Sequence, residues 1–542
     1  MHTHVSDVVV VGGGIAGMVA GLELLSTGCK VLLVDRDLEA NFGGLAKESF
    51  GGLFVVGSDE QKRAGCHDSP ELAYQDMAAF GELDRDEPEL VWPRKWARSY
   101  TEECNRAVYV WLKERGVRFL PLPHWIERGQ FTPGNSLPRF HIPWGTGSGL
   151  IQKIVATLEL HPQRRNLSLL FGHRVDELIV ADDRVIGCRG IATDSENSST
   201  TDFEVQAGAV IVASGGINGC IERVKANWHS DWSSPPEIIL NGSHKYADGR
   251  LHDAVATIGG RLTHMDRMWN YAAGVHHWRP RKPNHGLSLV PPRSALWLDW
   301  KGRRIGPQPL VTGFDTRDLV TQVCRQDRQY SWQLLNMRIA RKELAVSGAE
   351  FNVSVRENRK FAFLRELLFG NPKLVNDLID NCEDFVVANS LPALVEKMNA
   401  LNADRAVDLS VVADVVSRYD AQIDRGEKFH NDEQLRLIAY LRKWKGDRLR
   451  TCRFQKILDS RAMPLIAIRE FIISRKSLGG IQTDLDGRVL DLDGKPIRGL
   501  FAAGEATGFG GGGMNGLRAL EGTFLGGCIY SGRRAGFAAR DF

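Results

Sequence analysis

Near the start of the chain, Gly12-Gly13-Gly14-Ile15-Ala16-Gly17 follows a β-branched apolar run, Asp7 to Val11. It opens a segment, Ile15 to Leu25, whose apolar residues recur at helical spacing. In that setting each glycine of the pattern has its own task. Gly12 makes a tight turn, Gly14 lets backbone N–H groups reach a pyrophosphate at the helix start, and Gly17 lets helix and strand pack closely. Thr27-Gly28 supplies a helix stop, and Val31 to Val34 reads as a second strand. Asp35 closes it with Arg36 beside it, placed where an acid takes the ribose hydroxyls of a dinucleotide. The glycines alone are a weak signal, since any parallel α/β protein carries such turns. Strand, helix and acid together make it a strong one.

Other reactive side chains are informative by what they fail to form. The adjacent His276-His277 lacks a third ligand at workable spacing, so no metal site is expected. The nine cysteines are scattered, with no pair at metal-ligand spacing and no Cys-x-x-Cys-His. That pattern predicts free thiols in a reducing compartment and no covalent haem.

Several elements must position this chemistry. A chain of 542 residues exceeds what one core usually organises, so two or more structural units are expected. Its composition, 43% hydrophobic and 25% charged, is ordinary, and a net charge of +3 gives no reason to invoke nucleic acid. No apolar run is long enough to span a membrane, and the first residues lack a signal-peptide pattern, so a cytoplasmic location is the expectation. Two strand-like runs, Arg174–Val180 and Arg184–Ile191, flank Asp182-Asp183 as a hairpin. A polar stretch (194–201) precedes a buried strand, Ala209 to Ala213, that ends in Ser214-Gly215-Gly216. From about 266 to 475, Trp, Arg and charged helical segments replace the Gly-rich pattern, which returns at Leu478-Gly479-Gly480. The expected division is therefore 1–265 and 476–542 for a nucleotide-binding domain, with 266–475 inserted.

The motifs near the C-terminus choose the dinucleotide. Leu500-Phe501-Ala502-Ala503-Gly504-Glu505-Ala506 resembles the second flavin motif of large FAD oxidoreductases, and Val210 to Gly216 resembles their intermediate strand. On that resemblance Ala213, Ser214, Gly215, Gly504 and Glu505 contact FAD, and Val175 is a further candidate contact.

These motifs in this order, with the long insertion, resemble the fumarate reductase and 3-ketosteroid dehydrogenase superfamily of flavoenzymes. The resemblance implies an α/β fold, with a Rossmann-like FAD-binding domain of the glutathione-reductase type and an inserted α+β capping domain. Asn41-Phe42-Gly43-Gly44 and Ser49-Phe50-Gly51-Gly52 resemble the family's flavin-facing segment. Members that bind flavin covalently use a histidine shortly before the second glycine pair. That position here is Leu45, which implies noncovalent FAD. Arg518 to Gly527 resembles the family's last helix entrance, so Gly522, Thr523 and Phe524 would lie at the flavin, with the Gly522 N–H on a substrate carbonyl.

The resemblance also names candidates for the reaction. Lys301-Gly302-Arg303-Arg304 followed by Asp315-Thr316-Arg317-Asp318 resembles the fumarate reductase context of an arginine acid/base, which makes Arg317 the first choice. A solvated arginine in a charged loop is its alternative. Arg518 falls where an arginine holds the substrate carboxylate, or else it pairs with Glu521 or Glu505. Tyr271 lies near a substrate-binding position and is either a donor to a carbonyl or a core aromatic. Near Arg475-Lys476-Ser477 there is no histidine where fumarate reductases have one, which argues against fumarate. Trp269, Trp278, Trp297, Trp300 and Trp332 form either a flat apolar slot or ordinary core.

The reading is an FAD-dependent oxidoreductase acting on CH–CH bonds beside a carbonyl, 3-ketosteroid-dehydrogenase-like. Its alternatives are reduction of a small unsaturated carboxylic acid and a flavin electron-transfer subunit. The expected partners are a small-molecule substrate and an electron acceptor or donor of unidentified kind. Self-association is compatible with this reading.

Overall fold

The computed structural model describes residues 2–193 and 199–541; residues 194–198 of the polar stretch lie outside them. The chain forms two compact units. The first comprises Met1–Asn227, Ser243–Trp269 and Lys476–Phe542, and the second Trp228–Gly242 and Asn270–Arg475. The segment 228–242, expected with the nucleotide-binding part, thus clusters with the insertion. Its short strand Ile239–Asn241 pairs in parallel with Ile472–Ser474, a contact that no local pattern announces.

The first unit is built on an eight-stranded sheet. Five strands run parallel in the order Leu167–Leu170, Val31–Val34, His2–Val11, Thr200–Val212, Pro496–Ala502. Its middle is therefore made from both ends of the chain. Val8, Val9 and Val10 are wholly buried, because helices cover a parallel sheet on both faces. Each such residue contributes about 1.5–3 kcal/mol of hydrophobic stabilisation. The first strand begins at His2 rather than Asp7. Its polar half, His2 to Ser6, pairs with Phe203 to Ala207, so backbone hydrogen bonds and not burial extend it.

The helix Ile15–Ser26 leaves the first strand, and Thr27 caps it just before left-handed Gly28. It crosses the last long helix, Thr523–Ala538, at small residues. A Cβ on Gly532 would sit 2.5 Å from the Ala16 carbonyl oxygen, and one on Gly536 2.5 Å from that of Ala20. The expected hairpin is present as His173–Ala181 and Arg184–Thr193. Asp182 and Asp183 turn it at φ 50° and 52°, both left-handed, as a two-residue type I′ turn demands.

The second unit was expected to be dominated by helical segments, yet its centre is another eight-stranded sheet. The strand Leu465–Ser477 is its spine and pairs with Tyr330–Asn336, Phe385–Ala388 and Ile239–Asn241. Arg469, Glu470 and Arg475 interrupt its apolar run, which hides it from periodicity. The surrounding helices start at side-chain caps: Ser390 before Leu391–Ala400, Asp408 before Leu409–Asp424 and Asp432 before Glu433–Leu441.

Candidate functional site

In the first unit the glycine turn is built by close approach. A Cβ on Gly12 would lie 2.3 Å from the Ala213 carbonyl oxygen, and one on Gly17 1.9 Å from that of Gly12. Gly14, at the N-cap of the helix Ile15–Ser26, has no atom within 4 Å of where a Cβ would stand, and no side chain caps it. The helix start at Gly14 therefore faces open space, a geometry that suits a phosphate and that a side chain would block. Asp35 accepts hydrogen bonds from the Gly13 N–H at 2.5 Å and the Asp37 N–H at 2.7 Å. Burial pushes its carboxyl above the usual range although these donors oppose the shift.

The partners of Arg36, and the neighbouring Asp37 cluster, form a second layer of the cradle that escaped the sequence reading. Arg36 donates to Asp248 at 2.6 Å and lies 4.2 Å over the Tyr246 ring. Asp37 is buried against His244 at 3.3 Å and Lys245 at 3.2 Å. Burial opposes its ionisation, but His244, Asn41 and the neighbouring donors hold its carboxyl well below the usual range. The only local hint was Asp248-Gly249, a turn that starts the helix Arg250–Thr257.

Gly43 donates its N–H to the Gly13 carbonyl at 3.0 Å, and Gly44 lies beside Gly14. Gly51 packs on the Thr146–Gly147 backbone and Gly52 on the Phe140 ring. Ala213 donates to the Val11 carbonyl at 2.8 Å, which brings Ser214 and Gly215 to the end of the first strand. Val175 is instead a core residue of the antiparallel arm, packed in the cluster with Phe203 and Val205.

Towards the C-terminus, the Gly504 N–H donates to Ser531 Oγ at 2.9 Å, and Glu505 accepts from the Ser477 N–H at 3.0 Å. Ser477 Oγ in turn donates to Asn218 at 2.8 Å. Gly522 caps the helix Thr523–Ala538 at φ 97° and stands against the backbone of Leu53 and Phe54, where a Cβ would be 2.4 Å from the Phe54 nitrogen. Thr523 turns its hydroxyl to the Leu520 carbonyl at 2.7 Å, and no side chain caps the helix. Phe524 packs on Phe509, with the Lys476 ammonium 3.9 Å over its ring.

Arg518 has a carboxylate partner that the sequence did not point to. It bonds Glu82, which also bonds Arg85. Burial raises the Glu82 carboxyl and these two guanidinium groups outweigh it, holding it below the usual range. Glu521 accepts from Trp269 Nε1 at 2.9 Å and Glu505 from the Ser477 N–H.

Within the second unit, Arg317 is not a solvated loop residue. It lies in the helix Thr316–Cys324, capped by Asp315, and is 5% exposed. It donates to Asp231 at 2.9 Å, approaches His229 Nδ1 at 3.3 Å and lies 5.1 Å over Trp232. Tyr271 is half-buried among Leu240, Phe471 and Ile473, with the Arg475 guanidinium 5.8 Å over its ring. Trp297 and Trp332 are sheet-core residues, and Trp300 stacks under Lys301 and Arg328. They serve as core and surface anchors rather than as one slot. His276 meets Glu383 and Asp384 with ligand atoms within 4.8 Å. Arg469 already holds Asp384 at 2.9 Å, so the group is an ion-pair knot.

An open helix start, an acid at the second strand and a glycine-capped helix near the C-terminus fit a flavin dinucleotide. The model of the FAD binding domain family matches residues 7–525. This chain belongs to that family. It is an FAD-dependent oxidoreductase acting on CH–CH groups, similar to 3-ketosteroid dehydrogenases. A KsdD-like steroid dehydrogenase of Mycobacterium tuberculosis is 43% identical over 550 residues, covering 99% of this chain and 96% of that protein. The 3-ketosteroid Δ1-dehydrogenase of Sterolibacterium denitrificans shares the fold, with a TM-score of 0.67 at 16% identity, covering 99% of this chain and all of the other. A flavocytochrome c3 fumarate reductase does so with a TM-score of 0.68 at 20% identity, covering 99% of this chain and 78% of the other. Among the described residues no helix is long and apolar enough to cross a membrane.

Proposed function

We propose that this chain is a 3-ketosteroid dehydrogenase with noncovalently held FAD. The observation that carries the reading is the 43% identity to KsdD-like steroid dehydrogenases along almost the whole of both chains. The arginines support it from another side. Arg518 and Arg317 are each engaged by a carboxylate, Glu82 and Asp231, so neither is poised to clamp a small dicarboxylate. Leu45, which offers no nucleophile, supports the noncovalent state.

When bound, the flavin supplies a hydride acceptor at N5. The residues of this chain supply the rest. Gly12 and Gly17 shape the turn, the helix start at Gly14, Ile15 and Ala16 offers backbone N–H groups to the pyrophosphate, and Asp35 and Arg36 lie at the ribose. The segments Gly43–Gly44, Gly51–Gly52, Ala213–Gly215 and Gly504–Glu505 line the remainder of the cofactor. The Gly522 N–H donates to the C3 carbonyl oxygen, and the start of the helix Thr523–Ala538 stabilises negative charge as it develops there. That makes the adjacent C–H acidic. As that proton passes to a base the hydride leaves the neighbouring carbon and a C=C bond forms, and Tyr271, a candidate hydrogen-bond donor to a carbonyl, is the side chain whose hydroxyl is to be tested for a part in the reaction. Arg518 fixes the loop before Gly522 through Glu82, and Arg317 fixes the turn at His229–Trp232.

Reduction of a small unsaturated acid is the second reading, and the pairing of buried Arg317 with the exposed Asp231 favours it. It would pass a proton from Arg317 to substrate with Asp231 as the link to solvent. Turnover with an artificial electron acceptor decides between the two. Saturated 3-ketosteroids as donors should support it, whereas activity confined to reduced dye plus fumarate or urocanate would replace the first reading with the second. Denaturation should release free yellow FAD; flavin that stays with the precipitated chain would contradict the noncovalent state.

A further inference from the structure

The helix Lys360–Phe369 in the second unit is at odds with its surroundings. Seven of its ten residues are Phe, Leu or Ala, yet none of the ten is buried. A helix that is apolar nearly all round normally lies in a core. Here Phe361 is 90% exposed, Phe369 78%, Leu364 51% and Leu368 49%. Phe361, Leu364 and Leu368 share one face by their spacing. The opposite face carries Phe363, Leu367 and Glu366, whose carboxylate turns inward to Ser354 Oγ at 2.5 Å. The end of the helix is fixed rather than frayed, because Lys342 Nζ holds the Leu367 and Leu368 carbonyls at 3.3 Å.

Exposed basic side chains outnumber acidic ones around this face. Arg359, Lys360, Arg365 and Lys373 are exposed on or beside the helix. The helix Lys445–Arg450 packs against it and adds exposed Lys445 and Arg448 together with the half-exposed Leu449. Asp447 is buried on Arg293 at 2.7 Å and the exposed Glu357 pairs with Arg356 and Arg359, which leaves Lys360, Arg365, Lys373, Lys445 and Arg448 as the cationic rim.

We propose that this face docks the protein on an anionic lipid bilayer, with Phe361, Leu364, Leu368 and Phe369 entering the headgroup boundary and the basic residues meeting lipid phosphates. Apolar centre and cationic rim are the two requirements of an interfacial helix. A second copy fits poorly, since a two-fold contact through this face would bring the same lysines and arginines together. Nucleic acid fits the rim but leaves the exposed phenylalanines uncovered. The inference is independent of the substrate reading, because its test reads binding and not turnover.

The FAD-loaded full chain is sedimented with phosphatidylcholine vesicles and with vesicles that also contain phosphatidylglycerol. Partitioning should rise about tenfold or more with the anionic lipid and fall as salt is added. The variant Phe361→Ser/Leu368→Ser should lose about tenfold of that binding with flavin content and melting unchanged. Lys445→Glu/Arg448→Glu should lose the dependence on anionic lipid. Leu160→Ser, at an 83% exposed leucine of the first unit, should bind as the parent does. Three results would overturn the proposal: no binding to anionic vesicles, equal loss in Leu160→Ser, or a lipid-free dimer that Phe361→Ser/Leu368→Ser dissociates.

Discussion

The two units solve the problem of holding a charged group in opposite ways. The first presents backbone: the glycine turn leads into a helix start at Gly14 that faces open space, and neither that helix nor the glycine-capped helix at Gly522 has a side-chain cap. The second presents side chains already in pairs, such as Arg317 with Asp231, Arg304 with Asp432, and Asp384 with both Arg469 and His276. A backbone site stays poised with no ligand bound, because its donors were never going to be satisfied internally. A side-chain site of fixed charge needs a partner at all times. The difference teaches that cofactor binding here is a property of chain geometry, and that reaction specificity must come from the few polar groups left over.

The comparison is sharpest where one hydroxyl is removed. Tyr271→Phe should lower kcat by about 100- to 10,000-fold with flavin content unchanged. Steady-state turnover with a saturated 3-ketosteroid checks this, and an undiminished kcat would return Tyr271 to the core aromatics. Gly17→Val should do the reverse. Its side chain would start 1.9 Å from the Gly12 carbonyl, so flavin affinity should fall about 100-fold, read by titration of the apoprotein with FAD.

A stability effect should separate the units next. Glu470 is fully buried in the spine strand with neither carboxylate oxygen hydrogen-bonded. Burial, with Asp384 nearby, holds its pKa well above the usual glutamate range. In acid both folded and unfolded chains are protonated and nothing is lost. As pH rises through the ordinary glutamate pKa, only the unfolded chain ionises, so stability falls. Glu470→Gln should therefore stabilise the protein by about 1–3 kcal/mol near neutral pH, with the gain shrinking in acid. Melting curves across pH test it. The smallest effect belongs to the hairpin turn: Asp183→Gly relieves a left-handed aspartate and should add about 0.5–1 kcal/mol.

What was legible in the sequence follows the same division. Gly12–Gly17, the strand to Asp35 and the hairpin at Asp182–Asp183 could be read because each is set by neighbours a few residues away. The partner of Arg518 could not. Glu82 lies more than four hundred residues earlier, and only folding brings its left-handed helix end to the C-terminal loop. The burial of Arg317 was hidden for a similar reason, since Asp231 and Trp232 come from a segment that joins the second unit through the strand Ile239–Asn241. Val175 was a candidate cofactor contact in the strand His173–Ala181. Its side chain instead fills the core beneath the hairpin.

The central claim is that this chain takes a hydride from a saturated 3-ketosteroid. Anaerobic mixing of the oxidised yellow protein with such a steroid, followed through the visible flavin absorbance, tests it with no added acceptor. The account predicts bleaching in a single turnover and one equivalent of a product with a new double bond beside the C3 carbonyl. Flavin that stays oxidised with every saturated 3-ketosteroid, in a protein whose reduced form is reoxidised by an unsaturated acid, would contradict it.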